Sequence, residues 1–499
     1  MIYRPEFNLR MWDTWMFREK NEYHLFTLTQ PYSKSGWDRV CHAVTTDWLH
    51  WRDCNDIVLQ DTQNKDAWDA GCILTGSVFR TPGGYGMTYG SNHEGMEKIG
   101  LLFSKDLNNW EKCVSNPVMC PQGSFYEKTM NETAQSTVPW RDAYVIPGEQ
   151  GYEAFVCAGD MQKEKTRNGC IARVTSDDLI NWTYHPPIAS PESYVDMEVP
   201  QYFTWNGFHY LLFSTTGIYT RIHLSERERP AGTFYLMSKE KYGSYQIPDN
   251  NMLIGSGSGR FDCYVGKVIE DDDGWLLYHH ICGYRTAFAS PKKLRQNSDG
   301  TLYLERWEGL DGLLGKPELS IDSKGTVLKA SKRWPIGSWR QEGNTLFAEA
   351  GKSMTCRLFD KELTDFSCSC RIDLSQSERA GIVFRINEND MQSEKGWAIS
   401  LDRRYSRIEL CRPVLQCRTS LRVDPLDTVY MAVSDQNNVE IFVRDSYIEI
   451  YCNGRPLFVF NSSMVTASDH VTSGRLGLFA ENGSAVFDRF KAHTLPELK

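Results

Sequence analysis

The sequence predicts an all-β protein in which a β-propeller of four or five units is followed by a C-terminal β-sandwich. Three observations carry that expectation. Strand-length apolar runs fill the first 310 residues, and long helical periodicity is hard to find. A turn pattern closing on tryptophan recurs after such runs. Beyond a segment broken by Gly and Pro, short alternating strands resume at closer spacing.

The runs Tyr23–Leu28, Ile99–Ser104, Ala154–Ala158, His209–Ser214 and Gly274–His280 are separated by turn signals such as Pro82-Gly83-Gly84, Asn206-Gly207 and Asp273-Gly274. Asp47-Trp48-Leu49-His50-Trp51 is echoed by Asp106-Leu107-Asn108-Asn109-Trp110 and by Asp178-Leu179-Ile180-Asn181-Trp182. The closing tryptophans lie 59 and 72 residues apart. One supersecondary unit per copy is the pattern of radially repeated sheets. Between Asp311 and Trp339, Gly312, Gly315, Pro317, Gly325 and Pro335 interrupt short polar runs, so the propeller is expected over 1–315 and the sandwich over 335–499. In the second region, Phe366–Leu374, Ala380–Ile386, Gly396–Leu401, Arg407–Cys411, Val429–Val433, Val439–Val443, Tyr447–Cys452, Leu457–Phe460 and Leu476–Ala480 read as strands.

A chain of 499 residues exceeds one ordinary domain. Apolar content of 41% with 24% charged residues is that of a soluble globular protein. The net charge of −9, without a basic stripe, argues against nucleic acid. Neither a signal peptide nor an apolar run of about 18 residues is visible, so no membrane span is expected. The 15 cysteines are odd in number and show no zinc spacing, which fits reduced thiols in a cytoplasmic protein. No metal or cofactor is expected, and oligomeric state is not legible.

Three acids stand out because each leads into an apolar β-run near aromatic residues: Asp13 between Trp12 and Trp15, Asp142 after Trp140-Arg141, and Glu198 in Met197-Glu198-Val199-Pro200. Glycoside hydrolysis needs one charged and one protonated carboxyl across the scissile bond. Asp13 is the best nucleophile, with Trp12 and Trp15 excluding water around it. Arg141 would keep Asp142 ionised, as a stabiliser of the transition state must be. Apolar neighbours would keep a proton on Glu198. Asp196 and Glu192 are its rivals. Trp37 and Trp68 are candidates for sugar stacking, and Arg260, Asp262 and Tyr264 for the pocket lining. His279-His280 reads as one core and one surface residue, because neighbours on a strand point to opposite faces. Gly255-Ser256-Gly257-Ser258-Gly259 reads as a loop, and Asp271-Asp272-Asp273-Gly274 as a hairpin turn rather than a calcium loop.

These segments together resemble glycoside hydrolase family 32, the fructan and sucrose hydrolases, with kinship to family 68. Tyr23-His24-Leu25-Phe26 and His42–Trp51 are similar to stretches that follow the family's nucleophile motif. Leu74-Thr75-Gly76-Ser77-Val78-Phe79 resembles its Ser-Gly-Ser-Ala segment, Arg141-Asp142 its Arg-Asp-Pro motif and Glu198-Val199-Pro200 its Glu-Cys-Pro motif. The resemblance covers roughly residues 5–310. It implies five blades, Asp13 as nucleophile, Asp142 as transition-state stabiliser, Glu198 as acid/base, and Ser77 and Arg141 among the substrate contacts.

Departures are clear as well. Trp12-Asp13-Thr14-Trp15 is nearer the family-68 pattern, Leu28 stands where family 32 has a substrate-contacting Gln, and Ala143 replaces the Pro of Arg-Asp-Pro. The expected activity is retaining hydrolysis of terminal β-fructofuranosyl residues of small carbohydrates. An inverting enzyme on other furanosides or pentosides (as in family 43), fructosyl transfer and a non-catalytic carbohydrate-binding protein are the alternatives.

Overall fold

A computed structural model describes residues 3–5, 8–216, 231–256, 263–283, 286–328, 337–387, 395–416, 420–465 and 471–497. Asp262, Arg260 and residues 257–259 of the Gly/Ser run lie outside them. The chain divides into two compact units, Met1–Trp307 and Glu308–Lys499. Among the described residues no helix is long and apolar enough to cross a membrane.

The first unit is a five-bladed β-propeller. Its blades are antiparallel sheets, and the first-entered strands, at Leu9–Glu19, Cys72–Leu74 with Val78–Thr81, Trp140–Pro147, Glu198–Trp205 and Cys263–Asp271, line the axis. These innermost strands touch one another in cyclic order, the fifth meeting the first. At that seam Tyr3 exchanges backbone hydrogen bonds with Phe288 of the fifth blade, 2.9 and 3.5 Å long. Trp51 of the first blade packs 5.4 Å from both the Phe288 and the Tyr3 ring.

The tryptophan repeat is a turn device. In all three copies a Ser or Thr hydroxyl and the Asp carboxylate accept the backbone N–H groups of the bend, as Ser104 and Asp106 do for Leu107, Asn108 and Asn109. The next residue, Trp48, Leu107 or Leu179, takes φ of 65, 65 or 68°. The closing Trp Nε1 then donates to its carbonyl at 3.2, 2.9 or 3.0 Å. The predicted hairpin at Asp271–Gly274 is present.

One irregularity recurs in the innermost strands. In blades one, three, four and five, two residues stand opposite one of the neighbour, between Met11 and Thr14, Arg141 and Tyr144, Glu198 and Gln201, and Tyr264 and Lys267. Each is a β-bulge, which re-aims side chains. In the second blade the strand is interrupted at Thr75–Ser77, where a Cβ on Gly76 would lie 1.7 Å from the Thr88 carbonyl oxygen. Neighbouring blades are bonded to one another at this level. Ser77 Oγ donates to Ala143 O (2.8 Å) and accepts from Val145 N (3.1 Å), Asp142 Oδ2 accepts from Val199 N (2.9 Å), and Thr233 Oγ1 accepts from Gly266 N (2.7 Å).

His279 and His280 correct the expectation of one buried and one exposed ring: both are 0% exposed. Their strand, Gly274–Ile281, is interior to its blade, so each face meets protein rather than water.

The second unit is a β-sandwich. Three long strands, Thr345–Leu363, Phe366–Ile386 and Gly474–Thr494, carry bulges and form the backbone of the unit. The two strands expected at Phe366–Leu374 and Ala380–Ile386 are thus one, continuing through an irregularity between Asp373 and Gln376. Leu346, Phe359, Ile372, Ile382, Trp397, Ile441 and Phe487 belong to its core.

Candidate active site

Three of the bulges carry the candidate acids. Asp13 lies in the bulge of the first blade, Asp142 in that of the third with φ 62°, and Glu198 opens that of the fourth, next to Val199 at φ 48°. Positive φ is strained for an Asp and more so for a Val, and strain of this kind survives only where surrounding bonds over-determine it. Here the Val199 N–H is held by the Asp142 carboxylate.

Arg141 organises the acids. Its Nη2 is 2.7 Å from Glu198 Oε1 and 3.6 Å from Asp196 Oδ2, its Nη1 is 3.0 Å from Glu97 Oε2, and its Nε is 3.7 Å from Asp142 Oδ2. Glu97 also accepts from Trp140 N and Thr137 Oγ1, so this acid is the anchor of the guanidinium. Glu198 accepts a second hydrogen bond, from Tyr264 of the fifth blade. Asp13 is held through Oδ2 by the Thr75 hydroxyl of the second blade, while its Oδ1 has no hydrogen-bond partner among the described residues.

The electrostatics follow from burial. Asp13 is 9% and Asp142 3% exposed, whereas 22% of the Glu198 side chain stays open. Burial pushes Asp13 up to about 6, against the Thr75 hydrogen bond and the charges of Lys267 and Arg141. Burial likewise pushes Asp142 up to about 7, with Arg141 opposing and the Asp13 charge adding. Glu198 is held well above the carboxylate range by burial and then by the Asp196 charge, despite Arg141. Arg141 was expected to keep Asp142 ionised. Its short contacts go instead to Glu97 and Glu198, which leaves Asp142 the weaker pairing.

The other sequence candidates divide. Trp12 stacks on Trp37 (6.1 Å, 12°) and lies 6.4 Å from the Tyr264 ring and 5.0 Å from His280, so Trp12, Trp37 and Tyr264 form one aromatic wall. Trp15 is buried against Phe26. Trp68 lies over Gly100 and beside Tyr89, on the second and third strands of its blade rather than the innermost one. Ser77 corrects the expectation of a substrate contact, since its hydroxyl is taken up by Ala143 and Val145. Asp196 joins the cluster through Arg141 and Thr215, whereas Glu192 pairs with Lys163.

Sequence reasoning missed Thr75, Glu97 and Lys267. Thr75 and Glu97 left no recognisable signal. Lys267 left a faint one, a lone cation in the apolar run Cys263-Tyr264-Val265-Gly266-Lys267-Val268-Ile269. No group of three or more His, Cys, Asp or Glu among the described residues is arranged to hold a metal ion.

Comparison with known proteins agrees with this architecture. The Glycosyl hydrolases family 32 N-terminal domain matches residues 14–275. Sucrose-6-phosphate hydrolase of Zymomonas mobilis is 22% identical, with 96% of this chain and 88% of that protein aligned. Among solved structures, sucrose-6-phosphate hydrolase from Lactobacillus gasseri superposes with a TM-score of 0.67 at 16% identity, over 97% of this chain and 91% of that one. A β-fructofuranosidase of Bombyx mori gives 0.65 at 15% identity over 99% and 94%. Fructan 1-exohydrolase IIa from Cichorium intybus gives 0.64 at 14% over 100% and 97%. With more than half of its length matched by the family's N-terminal domain model, the chain belongs to glycosyl hydrolase family 32.

Proposed function

We propose that the protein is a retaining fructosidase that removes terminal β-fructofuranosyl residues from sucrose or short fructo-oligosaccharides. Glu198 donates its proton to the glycosidic oxygen as Asp13 attacks the anomeric carbon. The C–O bond to the leaving group breaks, and an ester between Asp13 and the fructosyl unit forms. Glu198, now a carboxylate beside Arg141, takes a proton from water. That water attacks the same carbon and frees Asp13. Asp142 accepts hydrogen bonds from sugar hydroxyls, which strengthen as positive charge develops on the ring.

The observation that carries this reading is the contrast between two acids of one cluster. Asp13 has one oxygen anchored by Thr75 and the other unpartnered, as a nucleophile needs. Glu198 is open on one side and is held well above the ordinary carboxylate range by burial, as an acid needs. Trp12 and Trp37 supply a flat apolar surface for a sugar face.

The test is turnover by the purified protein on sucrose, sucrose 6-phosphate, inulin- and levan-type oligosaccharides and aryl furanosides, with the first-formed anomer read by NMR. The relatives named for sucrose 6-phosphate place that compound in the series. Release of β-fructofuranose before mutarotation is expected, and Asp13→Ala should lower kcat by at least about a thousandfold. Initial release of the α-anomer would mean inversion. Absence of release from every glycoside, with sugar binding retained, would reduce the protein to a carbohydrate-binding module.

A further inference from the structure

The three-carboxylate scheme leaves one buried charge unused. Lys267 is 2% exposed, although an ammonium is costly to bury without compensation. It sits on the innermost strand of the fifth blade, on the far side of the bulge from Tyr264, the residue that bonds Glu198. Regular alternation would turn residues 264 and 267 to opposite faces. The extra residue of the bulge puts both on the same face. Its Nζ lies 5.5 Å from the centroid of the Tyr144 ring, two residues beyond Asp142 on the third blade, so the side chain reaches across the channel.

We infer that Lys267 is a positioning residue for the reaction, whose buried ammonium favours the charged forms of the Asp13 and Asp142 carboxylates. This rests on Asp13 being the nucleophile. The charged groups that act on Lys267 are Asp142 and Asp13. Of the remaining titratable neighbours, Tyr278 opposite it in register and His280 on the strand of Tyr278 are held neutral by burial, and burial with the Asp196 charge holds Glu198 well above the carboxylate range. Arg141 is engaged by Glu97 and Glu198. Burial brings Lys267 down to about 8, so it remains a cation over the acid and neutral range. Its charge lowers the Asp13 pKa, and Asp13 must be charged to attack. Loss of the cation therefore moves the acid limb of kcat/KM to higher pH.

The experiment compares pH profiles of kcat/KM for the full chain, Lys267→Met and Lys267→Arg on the best substrate. The expected result is an acid limb displaced upward by about one pH unit in Lys267→Met, a tenfold loss at pH below the limb, and a limb near the wild-type position in Lys267→Arg. A folded Lys267→Met protein with an unmoved limb overturns the proposal, as does an equal displacement in Lys267→Arg. Should Lys267→Met fail to fold, the question passes to NMR of 15N-lysine-labelled wild-type and Asp13→Asn proteins. The lysine signal absent from Lys267→Arg should titrate at lower pH in Asp13→Asn, and an unchanged midpoint overturns the assignment. The two readings fail differently. Turnover that survives Asp13→Ala removes the nucleophile itself, whereas an inactive Asp13→Ala with an indifferent Lys267 removes only the role of the lysine.

Discussion

Asp13, Asp142 and Glu198 are all held above their ordinary pKa values, and burial is the first cause in each case. An acid whose folded pKa exceeds its unfolded one binds more protons in the folded state. It therefore favours the fold most below its unfolded value, and that contribution is lost as pH rises from about 4 toward the folded pKa. At neutral pH the site is a net cost to the fold. Asp142→Asn and Glu198→Gln are expected to raise the unfolding temperature at pH 7, by about 2–4 °C per kcal/mol relieved, while kcat falls at least about a thousandfold. Calorimetry beside steady-state kinetics checks both, and a variant that loses stability along with activity contradicts the electrostatic account. The rate profile has its own sign. Activity should fall as pH drops through about 6, where Asp13 gains a proton, and fall again on the alkaline side where Glu198 loses one.

At the scale of the strand, the bulges separate residues that adjacent positions make look equivalent. Thr75 and Ser77 flank Gly76, yet Thr75 bonds the Asp13 carboxylate and Ser77 bonds the backbone of the third blade. Ser77→Ala leaves the buried Val145 N–H unpaired and should cost about 1–3 kcal/mol with kcat/KM nearly unchanged. Thr75→Val keeps shape and removes the hydrogen bond that lowers the Asp13 pKa, so its acid limb should move upward. The pH–rate profiles separate the two variants if the division holds, the limb moving in Thr75→Val and staying in place in Ser77→Ala. Strand alternation explains why Lys267 and Thr75 escaped the sequence reading. A period of two assigns faces correctly along a regular strand, but an inserted residue reverses parity beyond it, and nothing in Tyr264-Val265-Gly266-Lys267 announces the insertion. The tryptophan repeat was legible for the converse reason. Its Ser/Thr, Asp and Trp bond only within their own turn, so local sequence contains the whole device.

For the whole molecule, closure of the ring is the condition for a site shared among blades. The seam between the first and fifth blades holds through Tyr3, whose hydroxyl donates to Asp53 at 2.6 Å and whose backbone pairs with Phe288. Tyr3→Ala deletes a buried aromatic side chain and should cost about 3 kcal/mol. Because Asp13 and Lys267 lie on opposite sides of that seam, the acid limb should lose sharpness before global unfolding. Thermal scans monitored in parallel by activity and by tryptophan fluorescence test this, and coincident transitions would refute it. The sequence by itself determined the all-β class, the repeated turn and the choice of the three acids as candidates, because strand alternation, turn chemistry and an acid leading into an apolar run are each written in a few consecutive residues. Only the tertiary structure decided that Arg141 serves Glu198 and Glu97 before Asp142, that Ser77 joins blades, and that Lys267 is buried beside the Tyr144 ring of the third blade. Those outcomes depend on which strands meet around the axis and where each carries its extra residue, and both are set by packing among segments tens to hundreds of residues apart.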